Sequence, residues 1–495
     1  MDILHVTGGR PLRGRVKVSG AKNAALPLLA AALLPDGPTT FRRVPDLTDV
    51  ARLRDLLAGL GAGARADGGA VTVDPAGLDP HADPDERPAA AMRGSVCLLG
   101  PLLAKVGRAS LPAVGGCDLG PRPVDRHLRA FAAMGARVGE GRGGRVTLSA
   151  LHLPGGRLRG ARVDLAGPAP GGDPAARVPS VTGTANVLCA AATADGTTTI
   201  RGAAREPEVV AVGRFLIACG ARVSGLGTDE IRVAGVPRLH APPADHPACR
   251  VPADRVEAAT WLCAAAATRG RLTVDGVGYE EVSAVAAVLR AAGVRVRGCG
   301  TAGSPRVCVS AAGALASFEA AAGPHPAVPT DALPQLAAVA LTADGTSLLT
   351  DGVFPDRLAH LPRLARFGGA AGRAGATAIV SGDARLRPAL VDAPDLRAAA
   401  ALLIAALAAD GESELHGSNV LRRGYERLAE KLRALGADVR EPLGYGEPPP
   451  AFAPRRPAPA GAPGPARLRA AGGRPRLAGV RPGPGVSTCP PPLAA

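Results

Sequence analysis

The sequence has very few aromatic side chains for its length. Phe, Trp and Tyr together make up 2% of the 495 residues, with one Trp and three Tyr. Proteins that bind single-stranded nucleic acids stack the bases on aromatic side chains, so this composition argues against a nucleic-acid partner even though the formal net charge is +15. A basic cleft for small anionic substrates accounts for the charge equally well.

Long apolar runs are also missing. The longest, residues 24–34 and 398–409, fall short of the roughly 18–20 residues that cross a bilayer. The first residues lack the basic segment and the apolar segment of a secretory signal. We therefore expect a cytoplasmic protein that does not insert into membranes. The 46% of hydrophobic residues is enough for a full core, and the length suggests two to four domains.

The sequence also lacks closely spaced cysteine pairs. There are nine cysteines, and no two have C-x-x-C spacing, so neither a disulfide framework nor a zinc site is predicted. Most of them lie in apolar runs, where cysteine behaves as a small hydrophobic residue: Cys97, Cys189, Cys219 and Cys263. Cys117 differs, since it lies in the glycine-rich segment 115–120, five residues before Arg122. A nearby cation favours a reactive thiolate; the alternative is a surface turn with an incidental cysteine.

Lysine is rare, with four lysines among 58 basic residues, and there are only three asparagines. Lys22 and Asn23 nevertheless stand side by side. A compact ammonium group is not equivalent to the guanidinium fork of arginine, so this pair is a candidate for specific chemistry. The alternative is a chance helix start within residues 19–23.

From about residue 441 the composition changes to Pro, Ala, Gly and Arg. This segment holds seven Arg and two Glu and so supplies five of the fifteen net positive charges. Such a composition cannot build a packed core. We predict that residues 441–495 form a disordered tail.

Six segments of the remaining chain share one pattern: a helix with a polar start, a glycine break, a β-branched strand, a second helix, then a glycine and another strand. They begin near Ser19, Met92, Ser180, Asp254, Asp331 and Asp395. Their spacing, on the order of 65–90 residues, is too long for a solenoid and predicts a repeated α/β module. Three copies can close around buried helices, so six copies predict two lobes, with a hinge in the proline-rich residues 240–253 and a ligand cleft between the lobes.

Charged residues recur where the first helix of a repeat begins. Helix N-termini have free N–H groups and attract anions, so an arginine there is unfavourable unless an anion binds or a neighbouring carboxylate pairs with it. Ser180, Val181 and Thr182 form a hydroxyl-rich helix start suited to phosphate oxygens, although Ser and Thr are also ordinary helix caps. The charged residues are Lys22, Arg93, Asp254, Arg255, Asp331 and Arg397.

Several motifs, in one order over about residues 1–440, resemble those of the enolpyruvyl transferases, above all the branch that acts on UDP-N-acetylglucosamine. The motifs are Ser19-Gly20-Ala21-Lys22-Asn23-Ala24-Ala25-Leu26-Pro27, Gly115-Gly116-Cys117 with Arg122-Pro123-Val124-Asp125, Ala204-Arg205-Glu206-Pro207-Glu208, Pro329-Thr330-Asp331, Asp395-Leu396-Arg397 and Arg423-Gly424-Tyr425-Glu426. The resemblance implies an α/β fold of two lobes, an inside-out α/β barrel of six repeated α/β modules, three per lobe. Residues 22–250 would form the first lobe, and residues 1–21 with 251–440 the second.

The activity implied by the resemblance is transfer of the enolpyruvyl group of phosphoenolpyruvate to the 3′-hydroxyl of UDP-N-acetylglucosamine, with release of phosphate. This is the first committed step of peptidoglycan precursor synthesis and the step that fosfomycin blocks. The chemistry requires neither a metal nor an organic cofactor. Two alternatives stay open: an enolpyruvyl transferase of specialised metabolism that acts on another nucleotide such as UMP, and a non-catalytic basic binding module. Shikimate 3-phosphate fits less well, because that branch lacks the Gly-Gly-Cys loop.

The resemblance also assigns roles to residues. Cys117 would be the general acid that protonates C3 of phosphoenolpyruvate, and Asp331 would accept the proton of the sugar hydroxyl. Five cations would neutralise phosphate and carboxylate: Lys22, Arg93, Arg122, Arg397 and Arg423. The nucleotide sugar would contact Asn23, Asp331 and Val353 at the sugar, Arg122, Pro123, Val124, Asp125 and Arg126 at the uracil, and Ser180, Val181 and Thr182 at the diphosphate; Arg357 completes the substrate-binding set.

Four features depart from the family pattern and bear on the acceptor. Val114 stands where the family usually has proline, and Val420-Leu421-Arg422 replaces a segment that often contains His and Asp. Residues 167–177 form a Gly/Pro/Ala-rich insertion ahead of the predicted diphosphate site. A lysine common near that site is absent, and Arg177 is the candidate to replace it.

Overall fold

The computed structural model describes residues 2–112, 124–141, 144–169, 177–382 and 385–441. Helices and strands alternate along these residues, which gives a mixed α/β protein. The predicted tail lies almost wholly outside them. No helix in this part of the chain combines the length and the apolar character needed to cross a bilayer.

The α-helices are α1 (Lys22–Ala31), α2 (Thr48–Gly59), α3 (Glu86–Ala90), α4 (Leu99–Val106), α5 (Asp125–Ala133), α6 (Val181–Ala192), α7 (Pro207–Ala218), α8 (Arg255–Ala267), α9 (Tyr279–Ala291), α10 (Leu333–Ala340), α11 (Leu361–Leu364), α12 (Leu396–Ala408) and α13 (Leu428–Ala434). Short 3₁₀ helices span Pro75–Gly77, Arg93–Leu98, Pro154–Gly156, Pro247–Cys249, Thr330–Ala332, Pro355–His360, Ala365–Phe367 and Ser418–Arg423.

The strands are β1 (Ile3–Thr7), β2 (Arg13–Lys17), β3 (Thr39–Arg42), β4 (Gly63–Asp67), β5 (Ala70–Asp74), β6 (Arg108–Leu111), β7 (Arg137–Gly141), β8 (Arg145–Ser149), β9 (Arg162–Asp164), β10 (Ala166–Gly167), β11 (Val178–Pro179), β12 (Thr197–Arg201), β13 (Arg222–Ser224), β14 (Glu230–Ala234), β15 (Arg271–Asp275), β16 (Arg295–Gly298), β17 (Arg306–Ser310), β18 (Leu315–Ala316), β19 (Glu319–Ala322), β20 (Ala343–Asp344), β21 (Thr346–Asp351), β22 (Ala370–Ala374), β23 (Thr377–Ser381), β24 (Leu390–Asp392), β25 (Glu412–His416) and β26 (Asp438–Arg440).

Several helices are buried on every side because they are rich in Ala and Leu and lack a polar face. In α12, all but the last of the thirteen residues are buried. Asp395 fixes the start of α12, since its carboxylate accepts hydrogen bonds from the backbone N–H groups of Arg397 and Ala398. Asp254 caps α8 in the same way. Capped apolar helices of this kind form the interior, with α8, α10 and α12 packed on one another and α6 packed on α1 and α4.

The strands of three or more residues assemble into small sheets. Each sheet packs one of its faces against these helices. Alternate residues of β12, β15, β21 and β25 are buried, as expected for sheets with one face toward the core. The sheet orders are β3-β5-β4, β6-β8-β7, β13-β14-β12-β9, β16-β17-β15-β2, β19-β21-β23-β22 and β24-β25-β1-β26. Four of these combine parallel with antiparallel pairs, the parallel partner being β9, β2, β19 or β24.

The first two strands of the chain join sheets built from its second half. Strand β1 lies between β25 and β26 and is antiparallel to both, with Val6 opposite Ser413 and Val439. Strand β2 runs parallel to β15. The N-terminal residues therefore bind together segments that are more than 250 positions away in sequence.

Buried apolar residues fall into two separate cores. One contains side chains from residues 21–251. The other combines residues 4–18 with residues 253–439. The chain crosses from one core to the other twice, near residue 20 and near residue 252. The two crossings lie side by side, since Gly20 and Ala253 form a β-bridge.

One cysteine pair departs from the sequence-based prediction that no disulfide is present. Cys299 and Cys308 are joined, nine positions apart, beside β16 and β17. Because both lie in a basic hairpin with no C-x-x-C signature, the sequence carried no signal for the pair. Five other cysteines are free and buried: Cys97, Cys189, Cys219, Cys249 and Cys263.

Candidate active site

A cavity of ≈ 350 Å³ is lined by residues from both cores. Most residues predicted from the sequence stand in its wall: Lys22, Asn23, Arg93, Asp125, Arg126, Ser180, Val181, Thr182, Asp331, Val353, Arg357, Arg397 and Arg423. Val124 does not line it, because this residue directly precedes α5 and packs against the core of residues 21–251. Cys117, Arg122 and Pro123 lie outside the described residues.

Helix beginnings supply much of the wall. The first residues of α1, α6, α8 and α12 all face the cavity, and Arg93 opens a 3₁₀ helix that leads into α4. Several helix N-termini, of which those of α8 and α12 are capped by Asp254 and Asp395, therefore converge on one space together with cationic side chains. Both features attract anions.

Asp331 is clamped by two arginines. Arg397 donates to one of its carboxylate oxygens at 2.9 Å, and Arg357 pairs with the other at 2.8 Å. Asn23 donates to the same oxygen as Arg397 at 3.4 Å, from the opposite core. Burial opposes ionisation of this carboxyl, but the charges of Arg397 and Arg357 outweigh it and hold the pKa of Asp331 far below its usual range. Asp331 is therefore an anion at neutral pH.

Arg357 is itself held in place by a chain of polar contacts that the sequence did not reveal. Thr330 accepts a hydrogen bond from Arg357 at 2.9 Å and donates to Asp351 at 2.5 Å. Asp351 is fully buried, and its other oxygen accepts from the backbone N–H of Val353 at 2.9 Å. One buried carboxylate thus positions both an arginine and the backbone of a cavity residue.

Asp49 is the most important residue of the site that sequence reasoning missed. It is buried, and its carboxylate pairs with Lys22 at 3.1 Å and with Arg423 at 3.0 Å. Lys22 begins α1 in one core, whereas Arg423 ends a 3₁₀ helix next to the other core. In the sequence, Asp49 reads as an ordinary acid in the first turn of α2, and only the fold brings the two cations to it.

The region near α5 and α6 brings together two hydroxyls, a histidine and an arginine. The Ser180 hydroxyl caps α6 by accepting from Gly183, and Thr182 contacts the ring of His127 at 3.1 Å. His127 was not predicted; burial and the nearby charge of Arg93 lower its pKa to about 4, so it is neutral at pH 7. Arg126 donates to the carbonyl oxygen of Val178 at 2.7 Å.

Arg177, for which the sequence left open a role in place of a missing lysine, does not line the cavity. Arg177 is exposed and pairs with Asp164 at 2.5 Å, and it is not part of the wall. Part of the insertion that precedes it, residues 170–176, lies outside the described residues.

The motif Ala204–Glu208 contributes two carboxylates to the wall. Glu208 and Arg255 form a buried ion pair at 2.9 Å that joins α7 to α8 and therefore the two cores. Glu206 accepts from the backbone N–H of His325 at 3.3 Å, and burial raises its pKa. No group of three or more His, Cys, Asp or Glu side chains suited to a metal ion occurs in the described part of the chain.

Comparison with known proteins identifies what the chain resembles. The sequence model of the EPSP synthase (3-phosphoshikimate 1-carboxyvinyltransferase) family matches residues 6–432. Among curated relatives, a UDP-N-acetylglucosamine 1-carboxyvinyltransferase 3 of Symbiobacterium thermophilum is 43% identical over 441 residues, covering 89% of this chain and 98% of the relative. A UDP-N-acetylglucosamine 1-carboxyvinyltransferase of an Anaeromyxobacter species is 44% identical over 444 residues, covering 89% and 99%.

Solved structures show the same fold. The enolpyruvyl transferase NikO from Streptomyces tendae superposes with a TM-score of 0.77 at 27% identity, covering 89% of this chain and 98% of that one. An EPSP synthase from Acinetobacter baumannii gives a TM-score of 0.65 at 20% identity, covering 89% and 100%, and this likeness concerns the fold alone.

Proposed function

The chain belongs to the EPSP synthase family of enolpyruvyl transferases, and from that premise we propose that it transfers the enolpyruvyl group of phosphoenolpyruvate to the 3′-hydroxyl of UDP-N-acetylglucosamine, with release of phosphate. The relatives that support this acceptor carry it in their names at 43% and 44% identity over nearly their whole length. One observation carries the proposal: a single cavity, lined by residues of both cores, has four cations in its wall, Lys22, Arg93, Arg397 and Arg423.

The finer architecture belongs to the same proposal. We propose two lobes, residues 22–250 and residues 1–21 with 251–440, each built from three α/β modules in an inside-out barrel. The division of buried side chains into two cores supports the lobes. Six sheets of three or four strands in the described chain, each beside two helical segments, support the modules.

The cations of the cavity suit the phosphate and the carboxylate of phosphoenolpyruvate. Lys22 and Arg423 share Asp49, and Arg397 shares Asp331, so each cation is already oriented before a substrate enters. Oriented charges of this kind position reactants and stabilise developing charge without further reorganisation. Arg122 would add to this set from the glycine-rich segment that contains Cys117.

The bond changes divide between two groups. Cys117 would give a proton to C3 while the sugar oxygen attacks C2; the resulting ketal loses phosphate as the double bond re-forms with loss of a proton from C3. Asp331 would accept the proton of the sugar hydroxyl. Its pairing with Arg397 and Arg357 makes it a weak base in the free enzyme. An anionic substrate that draws Arg397 away would raise the pKa of Asp331 and so strengthen the base.

The remaining wall residues would receive the nucleotide sugar. Asn23 and the backbone at Val353 would face the sugar, Asp125 and Arg126 the uracil, and Ser180–Thr182 the diphosphate. The Ser180 hydroxyl accepts from Gly183 and keeps its own proton to donate to a diphosphate oxygen, which supports this assignment. Since both substrates are cytoplasmic metabolites, the proposal also assigns the protein to the cytoplasm and to the first committed step of peptidoglycan precursor synthesis.

Phosphate release from phosphoenolpyruvate tests the proposal. We expect release with UDP-N-acetylglucosamine, and none above background with UMP, with shikimate 3-phosphate or without an acceptor. Phosphate release with UMP and with none of the other acceptors would assign the chain to the specialised-metabolism alternative. If no acceptor gave phosphate release, a binding module would be favoured. Lys22→Gln should lower turnover strongly, whereas Lys17→Gln, on the exposed face of β2, removes the same charge and should not.

A further inference from the structure

A second cavity, of ≈ 600 Å³, opens beside the start of α7. Three arginines line it: Arg205, Arg214 and Arg250. All three are exposed, and within the described residues none has a side-chain hydrogen bond or an ion pair. In the active-site cavity, by contrast, Arg255, Arg357, Arg397 and Arg423 are each paired with a carboxylate.

The charge of this second cavity is not balanced by its other wall residues. Glu281 is the one acidic side chain among the described residues that line it, and its carboxylate accepts a hydrogen bond from the backbone N–H of Gly278 at 2.7 Å. His325, which the two cavities share, is neutral at pH 7, since burial and the charge of Arg255 lower its pKa. Like charges gathered without partners repel one another and weaken the folded state, and a bound anion would remove that repulsion.

The rest of the wall is apolar and comes from both cores. Pro207, Val210 and Ala211 present one face of α7, and Arg214 continues that face. Glu281 and His325 belong to the part of the chain that builds the other core. Guanidinium groups bind phosphate and carboxylate oxygens in pairs. We propose that this cavity binds a small organic polyanion, a molecule with two or more clustered phosphate or carboxylate charges and an apolar portion, at a site distinct from the active site.

Titration calorimetry with citrate and with inorganic pyrophosphate tests this site. Because the active site also holds cations, we expect two classes of binding in the wild-type protein. Arg214→Gln with Arg250→Gln should weaken one class by at least about ten-fold, while Lys22→Gln leaves that class intact. The matched control, Arg162→Gln with Arg222→Gln, removes the same charge from exposed strands β9 and β13 and should keep both classes.

The outcomes separate this inference from the proposed function. Phosphate release by the Arg214→Gln, Arg250→Gln protein should stay close to that of the wild type, which also shows that it is folded. A stronger response to pyrophosphate would point to a phosphorylated ligand, and a stronger response to citrate to a polycarboxylate. The inference is overturned if the double variant binds both anions like its control, or if all binding disappears in Lys22→Gln.

Discussion

Replacing Asp49 by asparagine removes the negative charge that Lys22 and Arg423 share, with almost no change in volume. The side chain of Asp49 is 3% exposed, and those of its partners are 12% and 18% exposed. Breaking a fully buried ion pair costs about 3–5 kcal/mol. Because water can reach both cations here, we expect a smaller loss, about 2–3 kcal/mol, in the free energy of unfolding, measured by urea denaturation at pH 7.

The effect on catalysis should fall on turnover rather than on substrate binding. Without Asp49, the cavity keeps Lys22 and Arg423 and gains net positive charge, so phosphoenolpyruvate should still bind. The two cations lose the group that orients them, and a misplacement of about 1 Å can lower turnover by about 100-fold. We therefore expect kcat to fall by about 10- to 100-fold, with KM for phosphoenolpyruvate changed much less. Asp49→Glu should recover part of kcat.

The matched control is Asp55→Asn, an exposed acid on the same helix. It should change neither stability nor kcat. If Asp49 served only to stabilise the fold, Asp49→Asn would lower the free energy of unfolding and leave kcat per folded molecule at the wild-type value. That result would refute the positioning role. A rise in KM for phosphoenolpyruvate that accounts for the whole loss of kcat/KM would refute it as well.

The pH dependence of stability gives an independent check on the same carboxylate. Burial opposes its ionisation, but the charges of Lys22 and Arg423 outweigh burial and lower the pKa of Asp49. A lowered pKa means that the stabilisation is fully present above the ordinary value of about 4 and is lost as the pH falls through the folded-state pKa. The Asp49→Asn protein should therefore lose less stability than the wild type on acidification below about pH 4.

Three further predictions follow from the site and the tail. Arg357→Gln removes one of the charges that lower the pKa of Asp331, so an acid limb of the kcat profile, which reports the substrate complex, should move to higher pH; a limb that moves to lower pH would contradict Asp331 as the base. Fosfomycin should alkylate Cys117 and not Cys97, whose pKa burial raises to about 12, and peptide mapping that finds a modified cysteine other than Cys117 would contradict its role. Truncation after residue 445 should leave turnover within about two-fold of the full chain, and a larger loss would mean that the tail contributes to the fold or the site.

What the sequence could predict depended on local patterns. Lys22, Arg93 and Arg397 were found because each stands at a recognisable helix start, and the structure brings all three to one cavity. Asp49 and Asp351 could not be found in this way. Each is a carboxylate whose partners come from distant segments, and nothing in its neighbouring residues distinguishes it from an ordinary turn or cap residue.

Val124 and His127 show the same limit over a short range. Val124 was assigned to the site because it lies within a run of five candidate residues. Val124 precedes α5 and packs, partly buried, against the core of residues 21–251, whereas His127 on α5 lines the cavity. Adjacency in sequence does not by itself predict adjacency in a site, because successive side chains point to opposite faces of a strand and turn by about 100° on a helix.

The position of β1 between β25 and β26 constrains the order in which the chain can fold during its synthesis. The core of residues 21–251 is built from one continuous segment, so it can form while the remainder is still being translated. The other core needs residues 4–18 as well as residues up to 439, and its sheet is incomplete until β26 emerges. Its first strand stays without its sheet partners for more than 400 residues of translation, so its unpaired edges are open to pairing with a wrong segment during that time.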